Sequence, residues 1–123
     1  MILVDTSVWV DHLRKRNLAL VRQLDAGEIL VHPFVIGELA LGHLEPRGLI
    51  LNTLLRMPQA IVASDDEVLS LIDRDRLFGF GIDYVDAHLL AATRLTAGAS
   101  LWTRDKRLRS VAESLSVAAP TPA

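Results

Sequence analysis

The chain has 123 residues and no cysteine, which excludes a disulfide framework and any thiolate metal site. No apolar run approaches the ~20 residues needed to span a bilayer. The N-terminus lacks the signal-peptide order of basic, long apolar and small-residue regions. Met1 leads directly into an apolar stretch, so the cytoplasm is the expected compartment and no membrane is expected as a partner. Formal net charge is −2, so no global basic field announces nucleic acid. His12, His32, His43 and His88 share no metal-ligand spacing. Repeats, low-complexity tracts and interdomain linkers are also missing. What remains is a chain of one-domain length in which half the residues are hydrophobic, enough for a substantial core.

The chain begins with Ile2-Leu3-Val4, a short β-branched run of the kind buried on both faces in a parallel sheet. It stops at Asp5. Thr6 and Ser7 are candidate N-caps for a helix through Val8 to Leu13. A second helix is expected over 18–26, with Gly27 just past its end. Ile29-Leu30-Val31 reads as a strand, and Pro33 as the first residue of a helix reaching Gly42. Pro46 opens another helix. A third strand is expected at 60–63. Ser64-Asp65-Asp66-Glu67 matches a capping box. Gly79-Phe80-Gly81 ends the helix it opens, and Asp83 caps the next, from Tyr84 to about Thr96. Ser100-Leu101-Trp102-Thr103 is a fourth strand, a charged helix comes after Asp105, and 116–118 is a candidate edge strand. Strands alternating with helices predict a single α/β domain over 1–119. Its mainly parallel central sheet would have four or five strands flanked by helices, with a frayed tail at 120–123.

Four acids stand in unusual places. Asp5 and Asp105 follow apolar strands directly. Glu38 interrupts an apolar helix, where its neighbours predict burial. Asp86 lies in the first turn of a helix whose later residues are nearly all apolar. Ligands in open α/β sheets bind outside the carboxyl ends of strands, and a buried carboxylate needs a cation or a donor network. Oxygen-only donors suit Mg²⁺ or Mn²⁺ rather than zinc. Such a site can direct water onto a phosphodiester. Each acid alone has a plain alternative: Asp5 and Asp105 as caps, Asp86 as the acidic partner of an Asp83 capping box, and Glu38 on the solvent face. His88 is two residues beyond Asp86, on another helix face, which suits packing or surface. Trp9 and Trp102 suit the core.

Ile2-Leu3-Val4-Asp5-Thr6-Ser7-Val8-Trp9, Ile36-Gly37-Glu38-Leu39, Asp86-Ala87-His88-Leu89-Leu90-Ala91-Ala92 and Leu101-Trp102-Thr103-Arg104-Asp105 carry a resemblance that spans the chain. In their order and spacing it resembles the PIN-domain endoribonucleases, specifically the VapC toxins of bacterial toxin–antitoxin pairs. The resemblance implies a PIN-like fold and an Mg²⁺-dependent cut in RNA, with Mn²⁺ as a substitute. It places the family's four acidic positions on Asp5, Glu38, Asp86 and Asp105, as catalytic residues and metal ligands. Asp5 and Asp86 would be the main ligands, Glu38 would position a water or second metal, and Asp105 would complete the pocket. Supporting hydroxyls fall on Thr6, Ser7 and Thr103. The implied partners are an RNA substrate and a cognate antitoxin. A homodimer is expected from the apolar surface of the helices between Phe34 and Leu55.

Basic residues cluster at Arg14-Lys15-Arg16 and at Arg104, Lys106, Arg107 and Arg109. Arg104 and Lys106 flank Asp105 and are candidate phosphate contacts; for Arg14, contact with RNA and a solvated surface weigh equally. Two other readings use the same residues. An aspartyl phosphotransfer protein, phosphatase or receiver-like, also places an Asp after a strand. The phosphatase pattern wants an acid two residues on, where Ser7 stands, and both want a late lysine, for which only Lys106 is available. A non-catalytic PIN module that only captures RNA or protein would not need all four acids.

Overall fold

A computed structural model of the protein describes residues 1–120. The sheet has three parallel strands in the order β2-β1-β3. They are β1 (Ile2–Val4), β2 (Ile29–Leu30) and β3 (Ser100–Trp102). Ile2 pairs with Ile29 on one side and Ser100 on the other, and Val4 pairs with Trp102. β1 is therefore central, which is why its side chains are apolar on both faces: Leu3 and Val4 are fully buried, as are Leu101 and Leu30 beside them.

Around the sheet lie α1 (Thr6–Arg14), α2 (Leu18–Asp25), α3 (Pro33–Ala40), α4 (Arg47–Arg56), α5 (Asp65–Asp75), α6 (Tyr84–Leu95) and α7 (Lys106–Ser114). Contacts run from α1 to α3, α3 to α4, α5 to α6 and α6 to β3. The capping box expected at Ser64 is formed, and so is the one that stood as an alternative reading for Asp83 and Asp86. Ser64 and Glu67 close the start of α5, and Asp83 and Asp86 close the start of α6. Residues 87–93 of α6 are all buried, so the near-continuous apolar sequence there does mark a core helix. Trp9 and Trp102 pack in the core.

The expected third strand at 60–63 does not form. A single parallel bridge joins Val31 to Gln59. The Ala60 amide donates to the Val31 carbonyl at 2.9 Å and no further ladder bond follows among the described residues, while the Ile61 amide, on the opposite edge, donates to the Thr96 hydroxyl at 2.9 Å. The chain is drawn off the sheet towards the end of α6 after one ladder step. The expected edge strand at 116–118 likewise shrinks to one bridge, Leu101 to Ala118, after Ser116 turns with a φ of 59°. Among the described residues the four or five strands expected are thus three, with one bridge beyond each outer strand. Thr6 and Ser7 are inside α1 rather than its caps; Asp5 holds the N-cap position and its side chain makes no capping bond. Of the expected tail, 121–123 lie outside the described residues.

His32 and His88 are both buried. His32 Nδ1 accepts the Phe34 amide at 3.0 Å, which places the ring proton on Nε2. His88 Nε2 lies 3.1 Å from Asp65 Oδ1, which also accepts the Tyr84 hydroxyl at 2.7 Å. Phe34 packs between the two imidazoles, its ring centroid 5.0 Å from His32 and 4.7 Å from His88. His88 thus serves packing, with one carboxylate contact. Burial first, and then the proximity of His88, lower the His32 pKa to about 4.

Because Leu3 is fully enclosed at the centre of the sheet, Leu3→Ala should cost about 3 kcal/mol. Urea unfolding would show this as a lower midpoint at unchanged slope.

Candidate active site

The ends of β1 and β3 lie side by side, and their turns are locked together by hydroxyls. Asp5, 6 % exposed, receives on Oδ2 the Ser7 hydroxyl at 2.7 Å and the Thr103 hydroxyl at 2.8 Å. Both hydroxyls also accept. Ser7 takes the Arg104 amide at 3.0 Å, and Thr103 takes the Asp105 amide at 3.0 Å. The Asp5 amide donates to the Trp102 carbonyl at 2.9 Å. Thr6 is used differently: its hydroxyl donates to Glu38 Oε1 at 2.6 Å and tethers α3 to the start of α1.

Asp105 caps α7, its Oδ1 accepting the amides of Arg107 and Leu108 at 2.9 and 3.2 Å. Asp83 Oδ1 accepts the Asp86 amide at 2.8 Å, and Asp86 Oδ2 accepts the Asp83 amide at 3.1 Å. A pattern unites the four acids. In each, the bonds found among the described residues fall on one carboxylate oxygen: Oδ2 of Asp5, Oε1 of Glu38, Oδ2 of Asp86 and Oδ1 of Asp105. The other oxygen of each is uncommitted.

Three of the four acids share an electrostatic neighbourhood. Burial pushes the Asp86 carboxyl up to about 6, aided by the carboxylates of Asp83, Asp5 and Asp105 and opposed by the Asp83 amide. Glu38 is exposed, contrary to the burial expected from its neighbours. Pro33, Phe34, Gly37 and Glu38 form the outer face of α3, while Val35, Ile36 and Leu39 face inward. Asp105 is also exposed, and Asp86 is half-buried.

Among the described residues, no group of three or more His, Asp or Glu side chains is placed to hold a metal ion. The oxygen-only donors and the excess negative charge around Asp86 instead fit a divalent ion that keeps several waters and takes few protein ligands. Uncommitted oxygens of Asp5 and Asp86 are the candidates for direct contact.

Of the basic residues, Arg104 is exposed and its Nη1 lies 3.1 Å from Asp11 Oδ2, so part of its charge is spent within the chain. Lys106 is exposed on the first turn of α7. Arg14 ends α1 and lines one recess with Glu38, Leu39 and Gly42. In the sequence Arg107 stands out only as one of a basic cluster, whereas its side chain lies across Gly81; the Gly79-Phe80-Gly81 triplet was the available signal.

Residues 2–114 match the PIN domain family, and the chain belongs to it. It is of the VapC type: it is 49 % identical over 118 residues to the protein called Ribonuclease VapC32 in Mycobacterium tuberculosis, in both strain CDC 1551 / Oshkosh and strain ATCC 25618 / H37Rv. Each alignment covers 96 % of this chain and 95 % of the relative.

The Asp86 shift sets a stability signature. Its ordinary pKa is 3.8, against about 6 in the folded chain. Between those values the folded chain holds a proton that the unfolded chain releases, so this group costs stability as pH rises. Asp86→Asn keeps a capping acceptor and has nothing to titrate. In EDTA, its stability relative to wild type should therefore increase from about pH 4 to about pH 6 and then level off. The final gain should be about 1–2 kcal/mol, after allowance for partial exposure. Asp83→Asn should cost well under ~1 kcal/mol, since asparagine also caps. Thermal melts across that pH range test both; a pH-independent difference for Asp86→Asn would contradict the shift.

Proposed function

We propose that the protein is a divalent-metal-dependent endoribonuclease, the toxin of a type II toxin–antitoxin pair, that hydrolyses RNA phosphodiester bonds with water. The observation that carries this is the half-committed state of its four acids: each is hydrogen-bonded through one oxygen, and among the described residues the other accepts no bond. The similarity to a VapC protein named ribonuclease supports the same reading.

In this reading Ser7 and Thr103 hold the Asp5 carboxylate in one orientation, and the Asp83 amide does so for Asp86. Thr6 steadies Glu38, which orients water from the open side. Asp105, anchored by amides of α7, completes the acidic rim. Asp5 and Asp86 would hold magnesium, or manganese in its place, which would supply Lewis acidity and lower the pKa of bound water. Lys106 and Arg14 attract the phosphate backbone, with Arg104 held near Asp11.

Partners are proposed from apolar surface. Leu41, Leu49 and Leu55 are 91 %, 67 % and 62 % exposed, and that surface suits a homodimer. A groove lined by Trp9, Leu13, Leu24, Ile50 and Leu54 suits an antitoxin segment. No helix among the described residues is long and apolar enough to cross a membrane.

Purified protein freed of any partner should cut single-stranded or loop RNA in Mg²⁺ or Mn²⁺, and EDTA should stop it. Asp86→Asn should abolish both cleavage and growth toxicity, while Asp83→Asn should retain them. Cleavage that persists undiminished in EDTA overturns the mechanism. Light scattering at micromolar concentration should report a dimer; a monomer removes that part of the reading.

A further inference from the structure

The loop between α5 and α6 carries an aromatic side chain that the fold does not use. Phe80 is 57 % exposed, and it stands between two glycines in left-handed conformation, Gly79 with φ of 84° and Gly81 with φ of 78°. Other residues adopt that conformation only with strain, so the loop is built to hold its central residue out.

Arg107 defines the other side of this feature. A β-carbon added to Gly81 would stand 2.9 Å from Arg107 Nη1 and 3.0 Å from its Cδ. The arginine stem therefore runs over the glycine, and its guanidinium rests beside the Phe80 loop. A side chain at 81 would displace the arginine from this place. Arg107 is two residues after Asp105, on the first turn of α7. From Phe80 to Asp83, the cap partner of Asp86, three residues of chain span at most ~11 Å. The Arg107 amide donates to Asp105 Oδ1 at 2.9 Å, so the residue whose side chain lies over Gly81 is rooted beside one of the four acids. Among the described residues Arg107 makes no ion pair, and Phe80 stacks on neither an aromatic ring nor a guanidinium.

We propose that Phe80 and Arg107 form a substrate subsite for single-stranded RNA, Phe80 stacking on an unpaired base and Arg107 holding an adjoining phosphate. This rests on the nuclease reading. The pairing of an open aromatic face with a cation is how single strands are gripped without sequence readout. Charge favours RNA over a protein partner here: Lys106 adjoins Arg107, and the immediate neighbours of the ring in the chain are glycines rather than leucines. Phe78, 64 % exposed on the same loop, offers a second ring. A base can stack on Phe80 only if it is unpaired, so the subsite selects loops and tails over duplex.

The test is fluorescence anisotropy with two labelled probes, a short oligoadenylate and the same backbone with abasic residues, using the full chain with Ca²⁺ in place of Mg²⁺. Wild type should bind oligoadenylate more tightly than the abasic strand. Phe80→Ala should weaken oligoadenylate binding about tenfold and leave abasic binding unchanged. Phe80→Trp should restore the preference, with its added tryptophan fluorescence quenched by oligoadenylate. Arg107→Ala should weaken both probes equally and reduce their salt dependence. If Phe80→Ala binds oligoadenylate as wild type does, while wild type still cuts RNA in Mn²⁺, the subsite is overturned and the nuclease reading stands. If wild type binds neither probe and cuts no RNA, both fall. If Phe80→Ala changes the oligomeric mass instead of the base preference, the ring belongs to an interface between protein chains and the subsite is overturned.

Discussion

Two hydroxyls converge on one carboxylate oxygen at the end of the central strand, and the site is arranged around that meeting. Asp5 is nearly enclosed, and a carboxylate so placed must be given donors. Hydrogen bonds to a charged group contribute about 1.5–3 kcal/mol each, and Ser7 and Thr103 supply two. Since each hydroxyl also accepts a backbone amide, at Arg104 and Asp105, the same oxygen fastens the turn after β1 to the turn after β3. The position of the α7 cap, and of the basic residues beyond it, is inherited from Asp5.

Buried His32 and half-buried Asp86 pull the pH dependence of the metal-free chain in opposite directions. His32 has its pKa lowered to about 4, so the unfolded chain takes up a proton first as pH falls from about 6.5. Stability from this group is full above that value and is lost as pH falls towards about 4. Asp86, raised to about 6, costs stability as pH rises across nearly the same window. The two contributions largely offset each other in the metal-free state. A cation at the acid pocket favours ionised Asp86 and removes one side of that balance.

Much of this was legible in the chain, for local reasons. The capping boxes at Ser64 and Asp83 are written within four residues each, and the apolar run after Asp86 needs no tertiary context to mark a core helix. Asp5 announced itself by ending an apolar strand. The strand at 60–63 misled because its apolar residues satisfy the composition of a strand, whereas the ladder to Val31 ends at the Ala60 amide and the chain beyond is held at Ile61 by the Thr96 hydroxyl, 35 residues further along. Glu38 misled because Phe34, apolar yet on the outer face of α3, blurs the helical stripe. Which oxygen of each acid is engaged, and the passage of Arg107 over Gly81, depend on distant partners and only the folded chain displays them.

At Asp86 one side chain both starts a helix and serves a pocket. Its carboxylate accepts the Asp83 amide while its own amide is held by Asp83, so shortening it to alanine opens the first turn of the helix that fills the core. Asparagine leaves that turn closed. Aspartate and asparagine codons differ by a single base, so in the proposed nuclease one base change would remove the charge at this position and keep the fold.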